Sequence, residues 1–326
     1  MHWRELERPL STASFPPLVL TVEAADIVSR RPPLRVELAN GGRMRVVCNG
    51  ESLLWSRVHF ALGQWILCAD SSRARPAPVP PIDAATVRGI DAPAGTREWW
   101  SAWARWCARS LVESSTTPLF AGEWQLMEAR EWNPYWPRGE QDYECITAVD
   151  FRNDPLSSEP LRWRDRFHDD WLVPLRPPSP PDSGRMKSWR KHARAETLPP
   201  VIALGVLGMS SLVVIDGHDR LHAAILEKTR PRVMALWAVG YDHRTSPPEV
   251  LAKEQAMLEA IAHTAAAWRE QTMREMNRRY LWAYGAAHRY FTTRAYPVPG
   301  GAATWDREVA SRLVEIGSDA PRDLRL

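Results

Sequence analysis

Asp216-Gly217-His218-Asp219-Arg220 places two carboxylates, an imidazole and a guanidinium within five residues. An apolar, β-branched run from Ser211 to Ile215 precedes them, and a helix-like run to about Glu227 follows. Where a strand turns into a helix, free backbone N–H groups and the positive end of the helix meet, and an anion such as phosphate is favoured there. Gly217 lets the backbone approach such an anion, Arg220 adds a charge-assisted donor, and His218 can donate to phosphate or relay a proton. Two aspartates beside a phosphate would repel it. A Mg²⁺ ion bridging phosphate and Asp216, or a proton coupled to a nucleophile, would resolve that conflict.

Two other readings of the same residues stand beside this one. In the first, Asp216 caps the helix, Asp219 is the acid of a capping box, Gly217 permits the corner, and Arg220 pairs with Asp216 at i, i+4. The corner would then supply about 1–2 kcal/mol of helix stability and no chemistry. In the second, His218 and His222 share a helical face at i, i+4 and bind a transition metal, although spacing identifies no third ligand.

Leu198-Pro199-Pro200-Val201-Ile202-Ala203-Leu204, followed by Leu212 to Trp237 with the corner at its centre, resembles the ParB/sulfiredoxin-like superfamily. The branch it is most similar to carries an Asp-Gly-His-x-Arg signature and includes ADP-dependent free serine kinases. The resemblance spans about Gly184 to Tyr241, less than a fifth of the chain. It implies a small α/β domain whose motif loop holds nucleotide phosphates (ATP or ADP, with CTP an option) together with Mg²⁺. Members include a CTP-dependent DNA-partition clamp, a sulfinic-acid reductase that uses ATP, small-molecule kinases and nuclease-like proteins. Carried over by position, Gly217, His218, Asp219 and Arg220 hold phosphate, Asp216 serves metal and catalysis, and His218 joins it as a catalytic group. Asp219 departs from the second histidine common in the kinase-like members. The reductase needs a cysteine in this loop, and there is none. Kinase-like members also use an upstream glutamate as a base near the substrate hydroxyl, for which Glu196 is the nearest candidate.

The elements that must hold the corner follow from pattern. Gly184 to Glu196 reads as a short basic helix with Arg185, Lys187, Arg190, Lys191 and Arg194, and forms a second wall for an anion. Leu198 to Leu204 and Arg232 to Val239 read as strands flanking the motif. Upstream, Pro17–Val22, Leu34–Leu38, Arg43–Cys48 and Gln64–Cys68 are short and β-like, with an Asn40-Gly41-Gly42 hairpin turn. Arg97 to Glu113 reads as a helix with Trp99, Trp103 and Trp106 on one face. The segment Leu119 to Phe151 reads as further strands. Proline-rich stretches at 75–81 and 174–181 read as linkers. A long helical stretch from about Glu249 to Phe291 and a short helix from Trp305 to Ile316 close the chain. The expected fold class is α+β, a small ParB/sulfiredoxin-like α/β domain at 182–246 between a β-rich, Trp-rich region at 1–173 and a helical region at 247–326.

Composition narrows the partners. The chain has 326 residues, a formal net charge of +3, 44% hydrophobic and 25% charged residues, which is ordinary for a globular protein. So small a net charge argues against a dedicated nucleic-acid coat, although basic runs at 162–166 and 185–194 carry Trp163 and Trp189 among them. DNA is therefore a possible partner but not the favoured one. Cys48, Cys68, Cys107 and Cys145 lack any Cys-x-x-Cys pairing and read as buried reduced thiols. No leader-like or membrane-spanning run is visible, and a cytoplasmic protein is expected. Seventeen tryptophans read first as aromatic core, and otherwise as a wall for a base or a partner. Three classes of function remain: an NTP-using phosphotransferase or NTPase acting on a small-molecule acceptor, a nucleotide-gated DNA-binding or DNA-cleaving protein, and a non-catalytic module that binds a protein partner through the Trp-rich region or long helix.

Overall fold

A computed structural model describes residues 2–5, 18–26, 31–59, 63–70, 77–129, 160–165, 172–209, 211–242, 252, 256 and 288–318. The strands are β1 (His2–Glu5), β2 (Leu18–Val22), β3 (Leu34–Ala39), β4 (Arg43–Cys48), β5 (Glu51–His59), β6 (Gly63–Cys68), β7 (Gly122–Glu128), β8 (Leu161–Asp165), β9 (Leu172–Pro174), β10 (Val201–Val206), β11 (Ser211–Asp216), β12 (Val233–Asp242), β13 (His288–Thr292) and β14 (Ala295–Pro297). The helices are α1 (Ala84–Arg88), α2 (Arg97–Glu113), α3 (Gly184–Arg194), α4 (His218–Leu226) and α5 (Gly301–Glu315). The fold class is α+β, with helices set against two sheets.

One sheet runs β1-β2-β7-β12-β10-β11-β9, with β13 also paired to β12; the other runs β14-β3-β4-β5-β6-β8. Pairing around the motif is mixed. β10 is antiparallel to β11 and parallel to β12, and β9 is parallel to β11. Every residue of β10 and β11 is buried, as their near-continuous apolar sequences require of central strands.

Residues of both sheets and of α2 and α3 share one hydrophobic core, in which Leu20, Val46, Leu54, Trp100, Trp103, Met186 and Val213 are all buried. The side chain of Gln64 on β6 ties the sheets together, donating to the carbonyl of Met209 at 2.6 Å and to Ser211 Oγ at 3.1 Å. α2 is held at its start by Thr96, whose Oγ1 accepts from Trp99 N at 3.3 Å, and it buries Trp99, Trp100, Trp103, Cys107 and Leu111. These tryptophans are core, stacked edge to face with one another.

α5 covers part of the second sheet through charge as well as apolar contact. Glu37 on β3 is wholly buried and accepts from Arg35 and Arg45; Arg45 continues to Glu308 on α5, whose other oxygen accepts from Ser52 and from Trp55 Nε1. Each carboxylate in this chain of contacts is met by a guanidinium, the condition for burying charge without large cost.

Three expectations change. The proline-rich stretch at 174–181 does not separate domains, because β9 pairs with β11 and strands from both sides of it lie in one sheet. By compactness the chain divides instead into Met1–Ala238 with Thr292–Leu326, and Val239–Phe291. The end of the expected long helix is strand: His288–Thr292 is β13. Most of that stretch lies outside the described residues, as does all of 130–159, which takes in the strands expected beyond β7 together with Trp132, Trp136 and Cys145. The third change is an addition, the nine-residue strand β5, absent from the strands expected of the N-terminal region.

Candidate functional site

β11 ends at Asp216, and the chain turns at Gly217 into α4. The helix N-cap is Gly217, not Asp216, and no side chain caps it. Gly217 has φ +93°, and a Cβ there would lie 3.0 Å from Val201 Cα and 2.8 Å from Arg220 Nη2. Both the left-handed backbone and the crowding demand glycine.

Asp216 and Arg220 are partners. Arg220 Nη2 donates to Asp216 Oδ2 at 2.6 Å and to the Pro200 carbonyl at 2.9 Å, and Arg220 is 2% exposed. Its guanidinium also faces the Trp189 ring of α3, 5.6 Å from the ring centre. The i, i+4 pairing read from the sequence is present, buried where the antiparallel β10–β11 pair begins.

Asp219 is not the acid of a capping box. Its Oδ1 accepts from the Ser179 N–H at 2.8 Å, its Oδ2 accepts from Arg185 Nε at 2.6 Å, and Arg176 Nη1 lies 4.0 Å away. Burial alone would raise this carboxyl, but the Ser179 N–H and the Arg176 and Arg185 guanidiniums outweigh it and hold it below its usual range. The offset to the two aspartates is thus arginine. Two carboxylates against Arg220, Arg185 and Arg176 leave one positive charge, and the outermost groups are guanidiniums: the Arg176 and Arg185 side chains are 38% and 51% exposed.

His218 is 4% exposed, and its Nε2 accepts from the Leu175 N–H at 3.2 Å. That bond places the ring proton on Nδ1. Burial, reinforced by Arg176 and Arg220 and opposed by Asp216 and Asp219, lowers its pKa to about 3. A ring neutral at pH 7, with Nε2 already engaged, does not act as a proton relay there, so His218 is a positioning residue that fixes the strand end at Leu175. Nor do His218 and His222 form a metal centre; among the described residues no cluster of three His, Cys, Asp or Glu side chains is placed to hold a metal.

Mg²⁺ can be tested on the donor set. The carboxylate of Asp216 is the ion-pair partner of a buried guanidinium, and turning it to a metal would leave Arg220 without a counter-charge. The residues do not fit Asp216 as a resident metal ligand. Any Mg²⁺ would be held chiefly by the phosphates it accompanies.

The basic helix α3 is stitched to α4 rather than forming an open wall. Arg185 reaches Asp219, while Arg190 and Arg194 both reach Glu227 at the far end of α4. Its buried face is Met186, Trp189 and Ala193. Sequence reasoning finds the charges but misses these acceptors, together with Leu175, Arg176 and Ser179, because they lie 33 to 43 residues from their partners.

Among the described residues no hydrogen bond or ion pair brings Glu196 to the corner. It is exposed and follows the end of α3 with φ +54°, its N–H donating to Ala193 and its carbonyl accepting from Arg232 Nη1 at 3.0 Å. The residue serves as a left-handed helix terminator, a place where glycine is preferred. Glu196→Gly should raise stability by about 0.5–1 kcal/mol through relief of the left-handed backbone, read as a higher urea midpoint at unchanged slope. A drop in the midpoint would show that the carboxylate does something the backbone does not.

Cys107 is wholly buried beneath this region, and its thiol is pushed up by burial, with Asp216 adding to the effect. It is inert packing. No described helix is long and apolar enough to cross a membrane. No family model, no curated protein and no solved structure matches the chain.

Proposed function

We propose that the Asp216–Arg220 corner is a nucleotide-phosphate site in a ParB/sulfiredoxin-like arrangement, acting in the cytoplasm in phosphoryl transfer to a small-molecule acceptor or in NTP hydrolysis. The observation that carries this reading is Asp219, buried at the head of α4 and gathering Arg185 and Arg176, whose guanidiniums remain partly exposed. A carboxylate used in this way does not repel phosphate; it fixes two forked donors beside the positive end of a helix.

In this reading each residue has a defined task. Gly217 brings the backbone close, Arg185 and Arg176 meet phosphate oxygens, Asp219 and His218 position those arginines and the strand end at Leu175, and the Asp216–Arg220 pair locks the corner to β10. Mg²⁺, arriving with the nucleotide, would neutralise phosphate charge. The acceptor's base is not assigned to Glu196, which stands apart from the corner.

Thermal shift with ATP, ADP, CTP and GTP, with and without Mg²⁺, tests the reading. The wild-type protein should gain several degrees with at least one nucleotide at about 100 times its Kd, where linkage gives about 2.7 kcal/mol. Arg185→Ala should lose most of that gain; its own melting temperature should fall as well, because buried Asp219 keeps only the Ser179 N–H and Arg176 at 4.0 Å, so the gain is read against each variant's own baseline. Absence of any response in the wild type, or a response indifferent to Arg185 and Arg176, rejects the site.

A further inference from the structure

The turn between β4 and β5, the end of β6 and the C-terminal half of α5 border a cavity of about 280 Å³, close to the lower end of the range usual for small-molecule sites. Its described lining shares no residue with the Asp216–Arg220 corner. A Cβ built at Gly50, in the turn, would meet nothing within 4 Å, so the cavity opens to solvent there.

Glu51, Asp70, Glu308 and Glu315 line it against one guanidinium, Arg312. This is a local reversal in a chain of formal net charge +3. Arg312 is committed, donating to the Cys68 carbonyl at 3.1 Å and to Glu315 at 3.0 Å. The Glu51 carboxylate is exposed and makes no hydrogen bond or ion pair among the described residues. Glu308 is the fixed member. It ends the chain Arg35–Glu37–Arg45–Glu308, in which two guanidiniums balance two carboxylates. Its Oε1 accepts from Arg45, and its Oε2 accepts from Ser52 Oγ at 2.9 Å and Trp55 Nε1 at 2.8 Å. Burial would raise this carboxyl, but Arg45, Trp55 and Ser52 outweigh it and hold it below its usual range, ionised at pH 7. A carboxylate has about four acceptor positions. These donors leave one of them open, and the side chain is 29% exposed.

We infer that this cavity binds a small organic cation, an ammonium or guanidinium compound that donates to Glu308 and meets the charge of Glu51. A metal ion is the weaker occupant, because among the described residues no three acidic or imidazole side chains converge to hold one. Acids spread around a cavity suit instead a molecule whose N–H donors are spaced along a short skeleton. Arg45, Ser52 and Trp55 already fix Glu308, so little side-chain freedom is lost when a ligand reaches it. The site does not depend on the nucleotide reading of the corner.

Isothermal titration calorimetry of the full chain with putrescine, agmatine and arginine at constant ionic strength tests it, with butanediol and Mg²⁺ as controls. At least one of the organic cations should bind saturably, and neither control should. Glu51→Gln removes a charge without removing a contact of the fold, and should weaken binding by about 2- to 5-fold. Ser311→Trp brings an indole into the cavity from an exposed helical position whose hydroxyl makes no hydrogen bond among the described residues, and should abolish binding. Circular dichroism melts establish that each variant is folded, and the nucleotide thermal shift of both should be unchanged. No saturable heat with any of the organic cations, equal binding of butanediol or Mg²⁺, or affinity unmoved in either folded variant would each overturn the proposal.

Discussion

Asp216→Ala destabilises the protein by about 3–5 kcal/mol, the range expected when one member of a buried ion pair is removed. The cause is less the lost attraction than the charge left behind. Arg220 is 2% exposed, and without Asp216 its only remaining hydrogen-bond acceptor among the described residues is the Pro200 carbonyl. A guanidinium cannot shed its proton to escape, as a buried lysine would. Arg220→Met in the same chain should therefore recover part of the loss, because the pair is replaced by apolar groups under the Trp189 ring. Urea midpoints of the two single variants and the double variant give the coupling energy directly. A loss below about 1 kcal/mol in Asp216→Ala would mean that Arg220 finds solvent or another acceptor, and the corner would then be far looser than its geometry indicates.

This pair also explains why the corner is the legible part of the chain. Spacing of i, i+4 and the strand–glycine–helix pattern are local, so Asp216, Gly217 and Arg220 can be related to one another without a fold. Local signals likewise locate α2, whose observed span Arg97–Glu113 coincides with the stripe of tryptophans, and the β3–β4 hairpin about Asn40-Gly41-Gly42. Gly217 misleads in one respect: a left-handed glycine can itself stand at the N-cap, and it displaces Asp216 from the capping role.

What is not legible depends on encounters between distant segments. Asp219 reads as a capping acid until Ser179 and Arg185 are seen to converge on it, and α3 reads as an open basic face until Glu227 is found between Arg190 and Arg194. The domain boundary fails for a related reason. Prolines at 174–181 mark a loop, but a loop between strands of one sheet has the same composition as a linker between domains. β9, only three residues long and ending in Pro174, gives too short a pattern to show which of the two it is. Functionally the difference matters, because that loop supplies Leu175, Arg176 and Ser179, the groups that turn a two-aspartate corner into an arginine-faced one.

The same loop makes the fold acid-sensitive through His218. With a folded pKa of about 3 against an ordinary value of 6.5, the folded state holds the ring neutral while the unfolded state takes up a proton as pH falls below 6.5. The unfolded state then binds more protons, so stability declines with falling pH, by about tenfold in the folding equilibrium per unit. Between pH 6.5 and pH 4 the loss should be on the order of 3 kcal/mol. Asp219 acts later: with its carboxyl depressed, it contributes stability that is present above its ordinary value of 3.8 and is lost as pH falls through its lower folded value. His218→Gln separates the two effects, since its amide oxygen can accept the Leu175 N–H in place of Nε2 and does not titrate. Stability measured by urea unfolding from pH 7 to pH 4 should fall steeply in the wild type and much less in His218→Gln. Parallel curves would place the proton uptake elsewhere and return His218 to the set of groups able to carry a proton near neutrality. In a flattened curve the ring is a fixed acceptor that stays neutral near pH 7, and any pH dependence of the activity proposed for the corner would then arise from a group other than this histidine.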